Sequence, residues 1–199
     1  MIELTRLRRT ARATRRALSL QEQRQHSLQL KRKIRTFSWY WRARNLAVYL
    51  ARDGELDLNP LIKLLLRQGK KVYLPVIRSY PPRKLWFSRY FLHTKLKSNR
   101  FAIPEPIINQ RDKRVPIFLD VVLAPMVAFD DTGQRLGMGG GYYDRTFSNQ
   151  INKLLWKRPR LIGIAHECQL VTHIPVRTWD VPMNMIVTES NVYKSKFMS

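Results

Sequence analysis

A glycine-rich stretch flanked by arginines is the part of this sequence best suited to chemistry. It runs from Arg135 to Arg145 and holds three consecutive glycines, then two tyrosines and an aspartate. Glycine N–H groups can approach phosphate oxygens closely, because no side chain blocks the backbone and positive φ values are allowed. The two arginines add full positive charges at its ends. These features indicate a phosphate-binding loop, which we place at residues 133–145.

The segments around this loop are those of a phosphate site in an α/β protein. The apolar run from Val121 to Phe129 predicts a buried strand, and a polar turn at residues 130–133 joins it to the glycines. A helix is expected from Asp144 to about Leu155. Neither the dinucleotide fingerprint nor the Walker loop fits, since Tyr142 replaces the third small residue and Gly-Lys-Ser/Thr is absent. On these residues alone, a plain flexible connection stays open as the alternative.

Strands and helices alternate along the rest of the chain, which predicts an α/β fold. We expect three layers, with a largely parallel, open, Rossmann-like sheet and helices on both faces. The predicted strands are 45–50, 71–75, 84–90 (at an edge), 160–165 and 185–188. A basic helix is predicted at 4–18. A second helix should begin at a capping box formed by Ser19 and Glu22 and end at about residue 36, and a third, at 60–68, should be capped by Asp57. The length of 199 residues predicts one domain over 1–199, with a loose tail at 194–199.

The net charge of +23 is the unusual feature of the composition. Such a charge attracts polyanions, so a nucleic-acid-binding protein that uses the glycine loop on backbone phosphates is the rival hypothesis. The basic residues are spread along the chain, however, and no zinc-finger spacing or RNA-binding signature is present. An anionic small molecule therefore explains the loop better, although the charge permits non-specific nucleic-acid binding.

Other sequence features limit the location and the redox chemistry. The longest apolar run is too short to span a bilayer, so we expect no membrane partner. The single cysteine, Cys168, excludes an internal disulfide and is expected to be a small buried side chain. His166 and Glu167 could suggest a metal pair, but no third ligand stands at metal spacing in the sequence. We favour a polar loop there and a cytoplasmic protein.

The loop region resembles the signature of the 5-formyltetrahydrofolate cyclo-ligase family. The similar positions are Pro125, Ala128, Phe129, Asp130, Gly133, Arg135, Leu136, Gly137, Gly139, Gly140, Gly141, Tyr142, Tyr143, Asp144 and Arg145. The resemblance extends from Leu7 to about Val187. It implies ATP- and Mg²⁺-dependent conversion of 5-formyltetrahydrofolate to 5,10-methenyltetrahydrofolate, with ADP and phosphate released through a phosphorylated formyl group. The expected partners are these small molecules, and the expected state is a monomer.

The resemblance also implies roles for individual residues. Arg135 and Arg145 would be catalytic, by stabilising charge on the transferring phosphoryl group. The residues assigned to ATP are Arg8, Arg15, Arg135, Leu136, Gly137, Met138, Gly139, Gly140, Gly141, Tyr142, Tyr143 and Asp144. Leu50, Glu55 and Tyr143 are assigned to the folate, and Asp144 and Asp180 to Mg²⁺.

The residues themselves leave other roles open at several of these positions. Arg8 and Arg15 lie on the basic helix, whose charges could simply face solvent. Glu55 could be an exposed loop acid. Asp144 could be a helix N-cap or the ion-pair partner of Arg145.

Overall fold

An eight-stranded mixed sheet forms the middle of the molecule, in a computed structural model that describes residues 2–78, 83–107, 113–148, 158–175 and 177–195. In chain order the strands are β1 (Asn45–Ala47), β2 (Lys71–Ile77), β3 (Leu85–Arg89), β4 (Leu96–Ser98), β5 (Pro104–Pro106), β6 (Lys113–Arg114), β7 (Val121–Pro125), β8 (Ala128–Phe129), β9 (Arg135–Leu136), β10 (Arg160–Ile164), β11 (Met185–Val187) and β12 (Val192–Lys194). The strand order in the large sheet is β12-β11-β10-β7-β1-β2-β3-β6, while β4 pairs with β5 and β8 with β9 in two small antiparallel sheets.

The five middle strands of the large sheet are parallel, as the sequence predicts for an α/β fold. They are β11, β10, β7, β1 and β2, with antiparallel strands at both edges. The first four residues of β7 are all buried and apolar, which is the pattern of a parallel strand covered on both faces. This arrangement brings the carboxyl ends of the parallel strands to one edge of the sheet.

The predicted edge position of one strand and the predicted start of the loose tail are wrong, both at the ends of the sheet. The strand at 85–89 is not an edge strand, because Phe87 and Ser88 pair on their outer side with β6. The tail is not loose from residue 194, because β12 pairs antiparallel with β11 and includes Lys194; residues 196–199 lie outside the described residues. Neither pairing partner is marked by a strong local pattern in the sequence.

The described helices are α1 (Ile2–Arg16), α2 (Leu20–Ile34), α3 (Ser38–Arg42), α4 (Asn59–Arg67) and α5 (Tyr142–Phe147). The capping box of α2 is confirmed, with Ser19 N donating to Glu22 Oε2 at 2.7 Å and Glu22 N donating to Ser19 Oγ at 3.2 Å. The N-cap of α4 is Leu58 rather than Asp57, although Asp57 accepts a hydrogen bond from Asn59 N at 2.9 Å. Among the described helices, none has the length and apolar character needed to cross a bilayer.

Helices cover both faces of the sheet, which confirms the three-layer prediction. On one face α2, α3 and α4 bury Leu30, Tyr40 and Leu61 against strand residues such as Leu123. On the other face the short α5 buries Phe147 in a second apolar cluster. Each such side chain stabilises the fold by roughly 1.5–3 kcal/mol through burial. The helix α5 begins at Tyr142, two residues before the predicted start, and residues 149–157 of the predicted helix lie outside the described residues.

A buried aspartate shapes the β8–β9 turn that leads into the glycine loop. The side chain of Asp130 is 1% exposed. Its Oδ1 accepts hydrogen bonds from Thr132 N at 3.1 Å and Gln134 N at 3.0 Å, and its Oδ2 accepts one from Ile174 N at 3.0 Å. One carboxylate thus fixes the turn and ties it to a segment 44 residues away.

The substitution Asp130→Asn should destabilise the fold by about 1–3 kcal/mol, because an amide has one acceptor oxygen and would turn an N–H group toward a backbone donor. The free energy of unfolding in urea measures this effect. The matched control is Asp131→Asn, at an exposed neighbour, which should change stability by about 0.5 kcal/mol or less. Equal effects of the two substitutions would contradict the anchoring role of Asp130.

Candidate functional site

A cavity of about 1180 Å³ opens at the carboxyl ends of the parallel strands, where open α/β sheets bind ligands. Its walls come from α1, the segment after β1, the glycine loop, the β4–β5 hairpin and residues 174, 175, 177, 179 and 180. All residues that the sequence predicts for the site line this one cavity. They are Arg8, Arg15, Leu50, Glu55, Arg135, Leu136, Gly137, Met138, Gly139, Gly140, Gly141, Tyr142, Tyr143, Asp144, Arg145 and Asp180.

The glycine loop has a backbone conformation that other residues would adopt only with strain. Gly139 has φ 92° and Gly141 has φ 63°, both in the left-handed region that favours glycine. Gly141 is also the N-cap residue of α5, with no side-chain cap. The alternative prediction that Asp144 is the N-cap is therefore wrong.

Two arginines hold the carbonyl groups of the loop. Arg8 Nε donates to Gly137 O at 2.8 Å, and Arg145 Nη1 donates to Gly140 O at 2.7 Å. Burial, and then repulsion from the nearby Arg177, lowers the pKa of Arg8 below its usual value. Cations that crowd one another without a neighbouring carboxylate are a favourable place for an anion.

Arg135 is the most enclosed arginine of the loop. Its guanidinium forms an ion pair with Asp144, and the side chain is only 8% exposed. Among the described residues its Nε is buried without a hydrogen-bond partner. Unsatisfied buried donors are uncommon in folded proteins, and this one belongs to a residue that lines the cavity, so it is available to a ligand oxygen. The ion-pair partner of Asp144 is thus Arg135, and the alternative prediction of Arg145 is wrong.

Asp53 attaches helix α1 to the segment after β1 by binding three arginines. Its carboxylate accepts hydrogen bonds from Arg12 Nε at 2.7 Å, from Arg15 Nη2 at 3.0 Å and from Arg16. Burial opposes ionisation of Asp53, but the hydrogen bonds from the three arginines outweigh it and lower the pKa to about 2. The sequence analysis missed Asp53 because no local pattern links it to a helix some 40 residues earlier.

Arg15 has a different environment from Arg8, although both are predicted to bind ATP. Its side chain is 1% exposed. Nε donates to the Asp53 carbonyl at 2.8 Å, and Nη1 donates to the Met126 carbonyl at 3.2 Å. These contacts are those of a residue that positions α1, and direct contact with ATP stays a prediction.

Glu55 and Tyr143 line the cavity, and the pKa values of both side chains are raised. Burial raises the pKa of Glu55, and Arg15, 3.8 Å away, only partly offsets this. Burial, reinforced by the charge of Glu55, also raises the pKa of Tyr143. Tyr143 is therefore a neutral phenol that can donate a hydrogen bond, while Glu55 is an acceptor when ionised.

The β4–β5 hairpin reaches across the cavity mouth, which the sequence analysis did not foresee. Arg100 Nη2 donates to the Tyr142 hydroxyl at 2.6 Å, and Phe101 packs edge-on against the Tyr142 ring at 5.9 Å. On the opposite side, Arg52 Nη1 donates to the Phe101 carbonyl at 3.0 Å. Asn99 Oδ1 fixes the tip by accepting from Phe101 N at 2.9 Å. An asparagine that favours a turn at this position is the one local sequence feature that could have predicted the hairpin.

Asp144 and Asp180 both line the cavity. Burial raises the pKa of Asp180, and the negative charge of Asp144 adds to the rise. Among the described contacts, both hydrogen bonds to Asp144 go to Oδ1, from Arg135 and from Val181 N at 3.3 Å. The two carboxylates offer the hard oxygen ligands that Mg²⁺ prefers, so the residues present fit this ion.

Comparisons with known proteins agree with the resemblance seen in the loop. A family model described as the 5-formyltetrahydrofolate cyclo-ligase family matches residues 3–189. The 5-formyltetrahydrofolate cyclo-ligase of Escherichia coli strain K12 is 43% identical over 185 residues, which are 92% of this chain and 98% of that protein.

Solved structures give the same relationship. The NMR structure of Aquifex aeolicus 5,10-methenyltetrahydrofolate synthetase has a TM-score of 0.79 at 29% identity, covering 97% of this chain and 93% of that one. A 5,10-methenyltetrahydrofolate synthetase from Mycoplasma pneumoniae, with a TM-score of 0.71 at 22% identity, covers 94% and 98% of the two chains and supports the fold alone. The match over nearly the whole length shows that this chain belongs to the 5-formyltetrahydrofolate cyclo-ligase family.

Proposed function

We propose that this protein converts 5-formyltetrahydrofolate to 5,10-methenyltetrahydrofolate with the consumption of ATP. The observation that carries the proposal is the single cavity that combines a cationic glycine loop with the carboxylate of Glu55. The loop suits a triphosphate, and the carboxylate suits the N–H donors of a pterin ring. Membership of the cyclo-ligase family supports the same substrates.

The reaction needs an activated formyl oxygen, because an amide-like oxygen is a poor leaving group. Transfer of the γ-phosphoryl group to this oxygen forms a new P–O bond and releases ADP. The N10 nitrogen then attacks the formyl carbon and loses its proton to solvent, the C–O bond breaks, and the oxygen leaves with the phosphate as the methenyl bridge closes. No protein nucleophile is required, so the protein contributes positioning and charge stabilisation.

Arg8, Arg135 and Arg145 are the cations we assign to the triphosphate. Arg8 and Arg145 already contact the loop at Gly137 and Gly140. The free Nε of Arg135 supports its placement at the transferring phosphoryl group, where a buried charged donor has its largest effect. The N–H groups of residues 137–141 complete this anion site.

Asp144 and Asp180 are the residues we propose to hold Mg²⁺ when it is bound with the nucleotide. The ion would supply charge neutralisation between phosphate oxygens. Asp144 has a second role in this proposal, since it also orients the Arg135 guanidinium.

Glu55, Leu50 and Tyr143 are the residues we propose to bind the folate. Glu55 accepts from ring and amino N–H groups, Leu50 supplies an apolar wall, and Tyr143 donates a hydrogen bond or packs on the ring. The perturbed pKa values of Glu55 and Tyr143 support a shared, dehydrated pocket.

The nucleic-acid hypothesis has weaker support from the site. The glycine loop lies inside a walled cavity, with Tyr142 and the β4–β5 hairpin above it, whereas a nucleic-acid backbone requires an open groove. A small-molecule ligand is the better match. The monomeric state and the cytoplasmic location stay predictions.

The first test of the proposal is the absorbance of the methenyl-folate product. Purified protein with 5-formyltetrahydrofolate and Mg²⁺ should give a rise in this absorbance only when ATP is added, with one ADP formed per product. Omission of Mg²⁺ with excess EDTA should abolish the rise, because the triphosphate charge is then unscreened. A folded protein that shows no ATP-dependent rise would contradict the proposed function.

Replacing Arg135 by Ala should lower kcat/KM by about 100-fold or more, because a charged donor to the transferring phosphoryl group is lost. Arg135→Lys should recover only part of the rate, since lysine keeps the charge but lacks the planar fork.

The matched control for Arg135 is Arg158→Ala. Arg158 also pairs with an aspartate, Asp120, at 2.8 Å, but this pair lies just before β7 and outside the cavity. Its removal should leave turnover near normal. A similar loss in both variants would mean that Arg135 acts on the fold and not on the phosphoryl group.

Replacing Glu55 by Gln should raise the KM for 5-formyltetrahydrofolate by about 10-fold, with a much smaller effect on the KM for ATP, because a charged acceptor is replaced by a neutral amide. Asp57→Asn, two residues along and outside the cavity lining, should leave both KM values close to normal. Equal increases for the two substrates in the Glu55 variant would refute the pterin role.

A further inference from the structure

Three potential metal ligands meet outside the cavity. His26 on α2, His166 directly after β10 and Glu189 after β11 have ligand atoms that all lie within 4.8 Å of one another. The Nδ1 atoms of the two histidines are 2.9 Å apart, and His26 Nδ1 is 3.6 Å from Glu189 Oε1. None of the three side chains lines the cavity described above.

The sequence analysis considered His166 with Glu167 and found no third ligand, because the third ligand lies 140 residues away. The acidic residue beside the histidines is also not the Glu167 that the sequence suggests. Glu167 turns its carboxylate to Thr188, Asn191 and Tyr193, while its backbone N–H donates to Glu189 at 3.1 Å. Glu189 is therefore the acid that faces the histidines, and its orientation is fixed by that hydrogen bond.

The fold encloses both histidines. His166 is fully buried and His26 is partly buried. The His166 ring is held by packing, by its Nδ1 contact with His26 at 2.9 Å and by a hydrogen bond with the Gly54 backbone.

Two of the three distances suit a tetrahedral ion after a small adjustment, and the third pair, His166 and Glu189, lies within 4.8 Å. Metal–nitrogen bonds of about 2.0–2.1 Å at tetrahedral angles place two nitrogens roughly 3.3 Å apart. The Nδ1 atoms would separate by about 0.4 Å from their contact of 2.9 Å, and Glu189 would approach His26 by a similar amount. A mixed nitrogen and oxygen donor set favours Zn²⁺ or a similar ion over Mg²⁺.

The charges around the cluster are balanced. Glu167 and Glu189 bring two carboxylates, and Lys33 is close enough to interact with both. The positive charge of Arg15, on α1, is close enough to interact with His166. A divalent ion would therefore enter a site with no net excess of positive charge, in a chain whose total is +23.

We propose that His26, His166 and Glu189 form a structural binding site for Zn²⁺, with water as the fourth ligand. The site links α2 to the ends of β10 and β11. It is separate from the proposed Mg²⁺ site, because it shares no ligand with Asp144 and Asp180. An ion bound only by the folded protein would also raise its thermal stability.

The test is a titration of the untagged full-length protein, freed of metal with EDTA, with Co²⁺ as a visible probe for the zinc site. We expect the visible absorption of four-coordinate Co²⁺, displaced by Zn²⁺, at one ion per chain, and a rise in Tm with Zn²⁺. His26→Gln and Glu189→Gln should each weaken Co²⁺ binding by at least about 10-fold. Circular dichroism should show that both variants remain folded.

His173→Gln is the matched control, because His173 is exposed and outside the cluster. It should bind Co²⁺ like the unchanged protein. Absence of the four-coordinate spectrum, or equal binding by the His26 and His173 variants, would overturn the proposal and leave the two histidines as a hydrogen-bonded pair. Since metal binding is read directly, neither outcome depends on the cyclo-ligase activity.

Discussion

The carboxylate of Asp53 is the contact on which the geometry of the site depends. It binds Arg12, Arg15 and Arg16 at once and so fixes α1 to the segment that follows β1. Arg8 lies two turns before Arg15 and on a similar face of the helix, which brings it to the Gly137 carbonyl. A single acid thus connects the Glu55 side of the cavity to the glycine loop. The low pKa of Asp53 keeps this link ionised throughout the neutral range.

The arrangement of charge also explains how a very basic chain can have a defined anion site. Arg12, Arg15, Arg16 and Arg135 have carboxylate partners, so they contribute less to the field in the cavity. Arg8 has no carboxylate partner among the described ion pairs and is repelled by Arg177. An entering triphosphate would relieve that repulsion. In the proposed function the free energy of triphosphate binding would come from a few unpaired cations, and the total charge is a poor guide to the site.

The sequence predicted those parts of the fold and site that are determined by residues close together in the chain. The capping box at Ser19 and the buried strand before the turn follow from neighbouring residues, and the loop from Arg135 to Arg145 carries its own motif. The parts that were missed depend on contacts between distant segments. Asp53 acts on a helix about 40 residues earlier, and β12 is defined only by its pairing with β11. Cys168, expected to be buried, is exposed, since its position at a strand end does not fix which way a short helical turn faces.

Arg15 shows why agreement between a predicted and an observed site residue does not establish its role. It lines the cavity as predicted, yet its guanidinium is hydrogen-bonded to Asp53 and to the Met126 carbonyl. Moving it onto a phosphate would break contacts that hold α1, and Arg8 would then lose its position at the loop. These contacts favour a positioning role for Arg15, and in the proposed function Arg8 is the residue of this helix that binds the phosphates.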